Sequence, residues 1–208
     1  MCSRYSLTSP PEAIRAFFAY RETPNFPARY NIAPTQEIGV VCLDPGRKRS
    51  FRPMRWGLLP AFVKDPKAGP PLINARAEGI AAKPAFRQAL KGARRPFLLR
   101  PRTGGLIAFA ALWERWRDRD GGEIDTVAII TCAANAAVTP LHDRMPAVLD
   151  PASFDAWLDC EATEIKAALD LLKPARDGLL EAIEMHPKLN DSRRDEPGVQ
   201  EPLQLQLL

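Results

Sequence analysis

Reactive side chains are scarce in this 208-residue chain, which has two histidines, His142 and His186, and four cysteines, Cys2, Cys42, Cys132 and Cys160. None of the cysteines stands in a CxxC pair, so the donor set argues against a structural zinc site, and no metal or other cofactor is expected. Long apolar runs are missing too. Nothing approaches the ~20 residues of a membrane span, and the first residues hold Arg4 and a proline pair where a secretory signal would carry an apolar stretch. A soluble, reduced, cytoplasmic protein without a membrane partner is the expectation. Charge of one sign is also in short supply: 29 Lys and Arg against 25 Asp and Glu leave a net charge of +4. That is too little by itself to demand a nucleic-acid partner. The basic residues do cluster, with Arg94, Arg95, Arg100 and Arg102 close together and Arg115, Arg117 and Arg119 following. No repeats and no clear linker break the chain, which leaves one domain, expected as a monomer.

Proline, by contrast, is plentiful: 21 of 208 residues, roughly twice the usual ~5%. So much proline favours short elements joined by rigid turns and argues against a helix bundle. "SPPEAIRAFFAYR" reads as an early helix with Ser9 at its N-cap. "EIGVVCL" and "SFRPMRWGLLP" read as strands around the turn "DPGRK", and "KPAFRQALKG" as a short helix stopped by Gly92. "GLIAFAALWERW" and "IDTVAIITCAA" read as a hairpin around "RDRDGGE". "PASFDAWLDC" and "TEIKAALDLLK" read as helices, and "GLLEAIEMHP" as a last strand. The intermixed order, without βαβ alternation, predicts a single α+β domain with a curved, barrel-like mixed sheet and peripheral helices. The domain is expected over residues 1–187, with an irregular, polar tail over 188–208.

Three short stretches share a pattern: Cys2 with Arg4, Asn74 with Arg76, and His142 with Arg144. In extended backbone, residues two apart point to one side, so each pair presents a polar or reactive group beside a guanidinium suited to phosphate. Convergence of the three would make a pocket. Removal of Met1 would leave Cys2 with an α-amine and a thiol on adjacent carbons. That amine has a reference pKa near 7.7–8, so roughly a tenth is neutral at pH 7, a few hundred-fold more than for a lysine. It can attack an aldehyde to form an imine, on which the thiol closes as a five-membered thiazolidine at high effective concentration. Arg4 favours the thiolate. His142, with an ordinary pKa near 6.5, suits proton transfer, and Asn74 suits orientation of a sugar hydroxyl. Trp56 suits either base stacking or burial in a strand. Cys42, Cys132 and Cys160 read as packing residues, and His186 is given no role.

"MCSRY", "RYNIAPTQ", "RWGLLP", "NARAE", "FAALWERW" and "HDRMPAVL" resemble, in that order, the SOS-response-associated peptidase family of abasic-site processing proteins. The resemblance runs from residue 2 to about residue 187. It implies an α+β domain on a barrel-like mixed sheet, and a thiazolidine crosslink from Cys2 to the ring-opened sugar of an abasic site in single-stranded DNA. It also implies lyase-like and self-processing peptidase chemistry in the DNA-damage (SOS) response, with the protein nucleoid-associated when bound. Asn74 would position the sugar and His142 move the proton. Arg4, Arg76 and Arg144 would contact phosphates, with Pro34 and Trp56 near displaced bases. Two departures stand out. Ser3 replaces the family's glycine. And "GARR" runs straight into "PFLLRPRTGG", so a family segment of the type Cys-Leu-x-Pro-Ala-x-Gly, two aromatics, Glu, Trp is missing along with its acid/base glutamate. Glu78 and Glu114 are the candidates to replace it. The alternative expectation is a non-catalytic or impaired single-stranded DNA-binding paralogue.

Overall fold

The computed structural model describes residues 3–60, 62–63, 65, 69, 71–77, 96–118 and 120–203. Cys2, Glu78, Arg94, Arg95, Arg119 and the helix read over 83–92 lie outside them.

The strand β9 (Glu123–Ala133) organises the molecule. Its run of valine, isoleucine and threonine is buried at every position from Thr126 to Cys132, the signature of a strand covered on both faces. Four strands attach to it. β8 (Ala111–Arg117) and β10 (Arg144–Pro146) pair antiparallel with it along one edge. β4 (Arg49–Trp56) and β5 (Asn74–Arg76) pair parallel with it along the other. β3 (Glu37–Leu43) extends the sheet beyond β4, to which it is joined by a hairpin over Asp44–Lys48. The expected β8–β9 hairpin forms, its loop closed by Asp118, whose carboxylate accepts from the N–H groups of Asp120 and Gly122. The strand read over "GLIAFAALWERW" splits instead at Ala110. The Ala110 N–H donates to Ala147 while its carbonyl accepts from Ile130, so β7 (Ala108–Phe109) leaves β9 and pairs with β11 (Val148–Leu149).

Alternate residues of β9 face two different cores. Ile130 and Cys132 pack with Met145, Phe154 and Leu180. Val127 and Ile129 pack on the other side with Ile32, Met54 and Trp56. Two helices cover the first core, α1 (Pro11–Phe18) through Phe17 and Phe18 and α2 (Phe154–Leu158) through Phe154 and Trp157, while α3 (Ile165–Asp170) leads into Leu171 and Leu172, which join it. In α1 the N-cap falls on Pro10, not Ser9, with no side-chain cap. Among the described residues no helix is long and apolar enough to cross a membrane.

The fold is α+β as expected, but among the described residues the sheet does not close into a barrel. Bonds at both ends of the β3–β4 pairing run through even-numbered residues, Gln36 and Asp44. The N–H and C=O groups of Gly39, Val41 and Leu43 therefore point away from β4. On β8, Asp118 and Ala110 bond toward the β9 side, which turns the backbones of Ala111 and Trp113 outward. No described strand lies against either edge. Instead both edges line one apolar cavity of about 670 Å³. β3 and β8 run parallel to each other, each being antiparallel to β9.

Two smaller sheets flank this one: β1 (Tyr5–Leu7) with β2 (Arg29–Ile32), and β6 (Phe97–Pro101) with β12 (Leu180–Glu184). Beyond β12 the chain makes two 3-10 turns, Pro187–Asn190 and Pro197–Gln200, and buries Leu189 and Val199 against Met185.

Candidate functional site

The C-terminal half of β9 brings two of the three arginine-bearing stretches together. Asn74 and Arg76 of β5 lie beside Ile129 and Thr131 on one edge, and Arg144 of β10 lies beside Ala133 on the other. Cross-strand partners share a face, so Asn74, Arg76, Thr131 and Arg144 all belong to the face of Val127 and Ile129. Thr131 ties the two edges. Its hydroxyl donates to the Ala75 carbonyl at 3.2 Å and accepts from Arg144 Nε at 3.1 Å. Arg144 Nη2 also donates to the Thr131 carbonyl. A fully buried threonine in an apolar strand thus fixes the guanidinium, and its position in "IDTVAIITCAA" carried no signal to distinguish it from packing.

Asn74 is 2% exposed, while Arg76 is exposed. His142 precedes β10 and keeps its side chain 38% exposed. Its Nδ1 lies 3.0 Å from the Arg144 backbone N–H and 2.7 Å from Asp143 Oδ1, so it accepts from the first when bare and donates to the second when protonated. Burial, with Arg144 adding to it, lowers the imidazole pKa below its ordinary value, and Asp143 works against both. The neutral, proton-accepting ring is therefore favoured.

Arg4 donates to the Ser3 and Asn190 carbonyls. The next residue, Tyr5, packs on the core that holds Ile129 and Ile73, so the amino-terminal strand lies on the same face as Asn74; Cys2 itself is outside the described residues. Pro34 is half-buried in the β2–β3 connection. Trp56 is 0% exposed and its indole N–H donates to the Ile73 carbonyl at 2.9 Å. With no free face it is not available to stack on a base in this conformation; it supports the residue before Asn74. Nearby, Gly57 at φ +135° leaves no room for a side chain, since a Cβ would meet that of Pro71 at 2.8 Å.

Other expectations change. Glu114 pairs with Thr126, which puts it on the opposite face of the sheet from Asn74 and Arg144. Cys42 and Cys132 are buried as expected, but Cys160 is exposed and does not pack. Arg100 pairs with Glu181, and Arg115 and Arg117 with Glu123 and Asp125, so these clustered arginines are neutralised on the surface. Among the described residues no group of three potential metal ligands gathers.

The molecule is a single-domain α+β protein, and its fold recurs in crystal structures of a protein from Bacteroides thetaiotaomicron (TM-score 0.78, 21% identity, 97% of this chain and 100% of that one) and of one from Bordetella bronchiseptica (TM-score 0.70, 24% identity, 89% and 100%). The chain belongs to the SOS response associated peptidase (SRAP) family, whose profile matches residues 1–95 and 90–192. Among its relatives are the abasic site processing protein YoqW of Bacillus subtilis, 30% identical across 95% of this chain and 97% of that protein, and the abasic site processing protein HMCES of Gallus gallus, 26% identical across 99% and 79%. The two profile segments overlap at 90–95, the place at which the resemblance puts the missing family segment. The YoqW alignment spans 219 positions against 208 residues here, so at least eleven positions of it have no residue in this chain.

Proposed function

We propose that this protein recognises abasic sites in single-stranded DNA and joins them covalently through Cys2 after loss of Met1. The α-amine of Cys2 adds to the C1′ aldehyde of the ring-opened sugar and one water leaves, giving an imine. The thiol then adds across the C=N bond, its proton passing to nitrogen, and the thiazolidine closes without oxidant or cofactor. In this reading neutral His142 accepts and returns the protons, Asn74 orients the sugar, and Arg4, Arg76 and Arg144 hold phosphates. Pro34 borders the displaced bases. The protein acts as a monomer in the cytoplasm, at the nucleoid when bound, with lyase-like chemistry and self-processing of its leader residue.

The observation that carries this reading is the meeting of the Asn74–Arg76 and His142–Arg144 stretches at Thr131, on the face where Tyr5 packs. The abasic-site names of the relatives supply the substrate class. Intact mass spectrometry after incubation with an abasic oligonucleotide tests it. The wild type gains the mass of the oligonucleotide less one water, and Cys2→Ala gains nothing; identical masses for the two proteins overturn the proposal.

One observation favours a second reading, a single-stranded DNA-binding paralogue with impaired chemistry. Glu114 faces away from Asn74 and cannot stand in for the missing glutamate. Loss of one acid/base group costs about 10²–10⁴ in rate. Salt-dependent DNA binding without any adduct after prolonged incubation would establish that reading.

A further inference from the structure

The strand β2 is held by the C-terminal segment to an extent that its own pairing does not require. Asp195 accepts from the N–H groups of Tyr30 and Asn31 at 2.5 and 2.8 Å, and from Arg29 Nε. Gln200 Nε2 donates to the Tyr30 carbonyl at 2.7 Å. The side chain of Asn31, 1% exposed, donates to the carbonyls of Leu189, Asp191 and Arg194 at 3.3, 3.0 and 2.8 Å. Side chains of the segment thus satisfy the outer edge of β2 as a neighbouring strand would, while Asn31 satisfies the segment's own carbonyls. The other edge of β2 carries β1, three residues long with an irregularity in its register. Just before β1, Arg4 Nη2 donates to the Asn190 carbonyl at 3.1 Å.

So short a strand does not fix its own position. Its place follows from β2, from Asn190 and from the packing of Tyr5 and Leu7 on the core of Ile129, and the segment 187–200 holds the first two. We propose that Asn31 and Asp195 are positioning residues for the amino-terminal segment: they lock the C-terminal strap onto β2, and the strap and β2 together set where the chain before Tyr5 is presented to the Asn74–Arg144 site. This rests on the proposed chemistry of Cys2, and its test has a readout that does not.

The experiment uses the full chain with Asp195→Asn and Asn31→Asp, and with Gln200→Met as a milder variant that removes one donor and keeps the fold. Hydrogen exchange of the Tyr5–Leu7 amides is measured on folded protein. In parallel, the maximal rate of adduct formation and the half-saturating concentration of abasic oligonucleotide are measured. Exchange at Tyr5–Leu7 is expected to rise in every folded variant. The maximal rate falls, by up to about 10²-fold for a displacement near 1 Å, while the half-saturating concentration stays within about twofold of the wild type. A purely structural role predicts a lower melting temperature with unchanged exchange at Tyr5–Leu7 and an unchanged maximal rate in the folded fraction, and that result overturns the proposal. A wild type that forms no adduct removes the function proposed for Cys2; unchanged exchange in the variants removes the strap. The two failures are therefore separate.

Discussion

His142 shows how one side chain is tuned by its neighbours. Burial lowers its pKa and Asp143, well exposed, only partly opposes this. The unfolded chain therefore takes up the proton first as pH falls through about 6.5, so this histidine's contribution to stability is lost as pH falls from there toward the folded value. The same shift keeps the base form populated below pH 6.5. Adduct formation by the wild type should fall through neutrality as the Cys2 amine, with an ordinary pKa near 7.7–8, is protonated, and fall more steeply below pH 6.5 as His142 is protonated too. His142→Gln should lower the rate by about 10²–10⁴ and leave only the limb of the amine; an added steepening below pH 6.5 that survives the substitution in a pH–rate series excludes His142 as the proton carrier. At this scale the shared side of Asn74 and Arg76 was legible in the sequence because two-residue spacing in a strand projects side chains to one side, whereas His142 lies before β10 and outside that pattern. Thr131, Asn31 and Asp195 were not legible, because their roles depend on partners 13 to 166 residues away, a separation that local pattern does not encode. Cys160 was misread because an apolar neighbourhood in sequence is not burial.

Among the elements, β9 is the part on which the others depend. Its register puts β5 and β10 on opposite edges at one level, and Thr131 joins them. Thr131→Val keeps the shape and removes a hydroxyl that both donates and accepts. Leaving the Ala75 carbonyl and Arg144 Nε without it should cost about 1–3 kcal/mol, read from the urea midpoint, and should weaken DNA binding by freeing the Arg144 guanidinium. An unchanged midpoint and affinity would mean that Thr131 is only packing. Strands β3 and β9 were legible from their β-branched runs, and β4 and β8 from aromatic residues set among polar ones, all bounded by turn residues. The break at Ala110 was not, since nothing local shows a strand exchanging its partner for Ala147.

For the whole molecule, net charge is a poor guide to the DNA contact. Arginines outside the site are largely tied to carboxylates, as at Arg47, Arg49, Arg100 and Arg115, and add little to a phosphate-binding surface. Contacts from Arg4, Arg76 and Arg144 alone predict a log–log salt slope near about −2 for a single strand. Fluorescence anisotropy across a salt series checks this; a slope several units steeper would show a wider basic surface than these three residues provide.

The unclosed sheet has a consequence for how the protein behaves in concentrated solution. Among the described residues two parallel rows of amide groups border an apolar slot, and rows of that kind serve as templates for a foreign strand. The molecule should therefore self-associate as its concentration rises, even if it is a monomer when dilute. Val41→Pro deletes one outward N–H without cutting the β3–β4 ladder and places proline where an outer strand tolerates it. Light scattering of the variant should show weaker association with an unchanged fold.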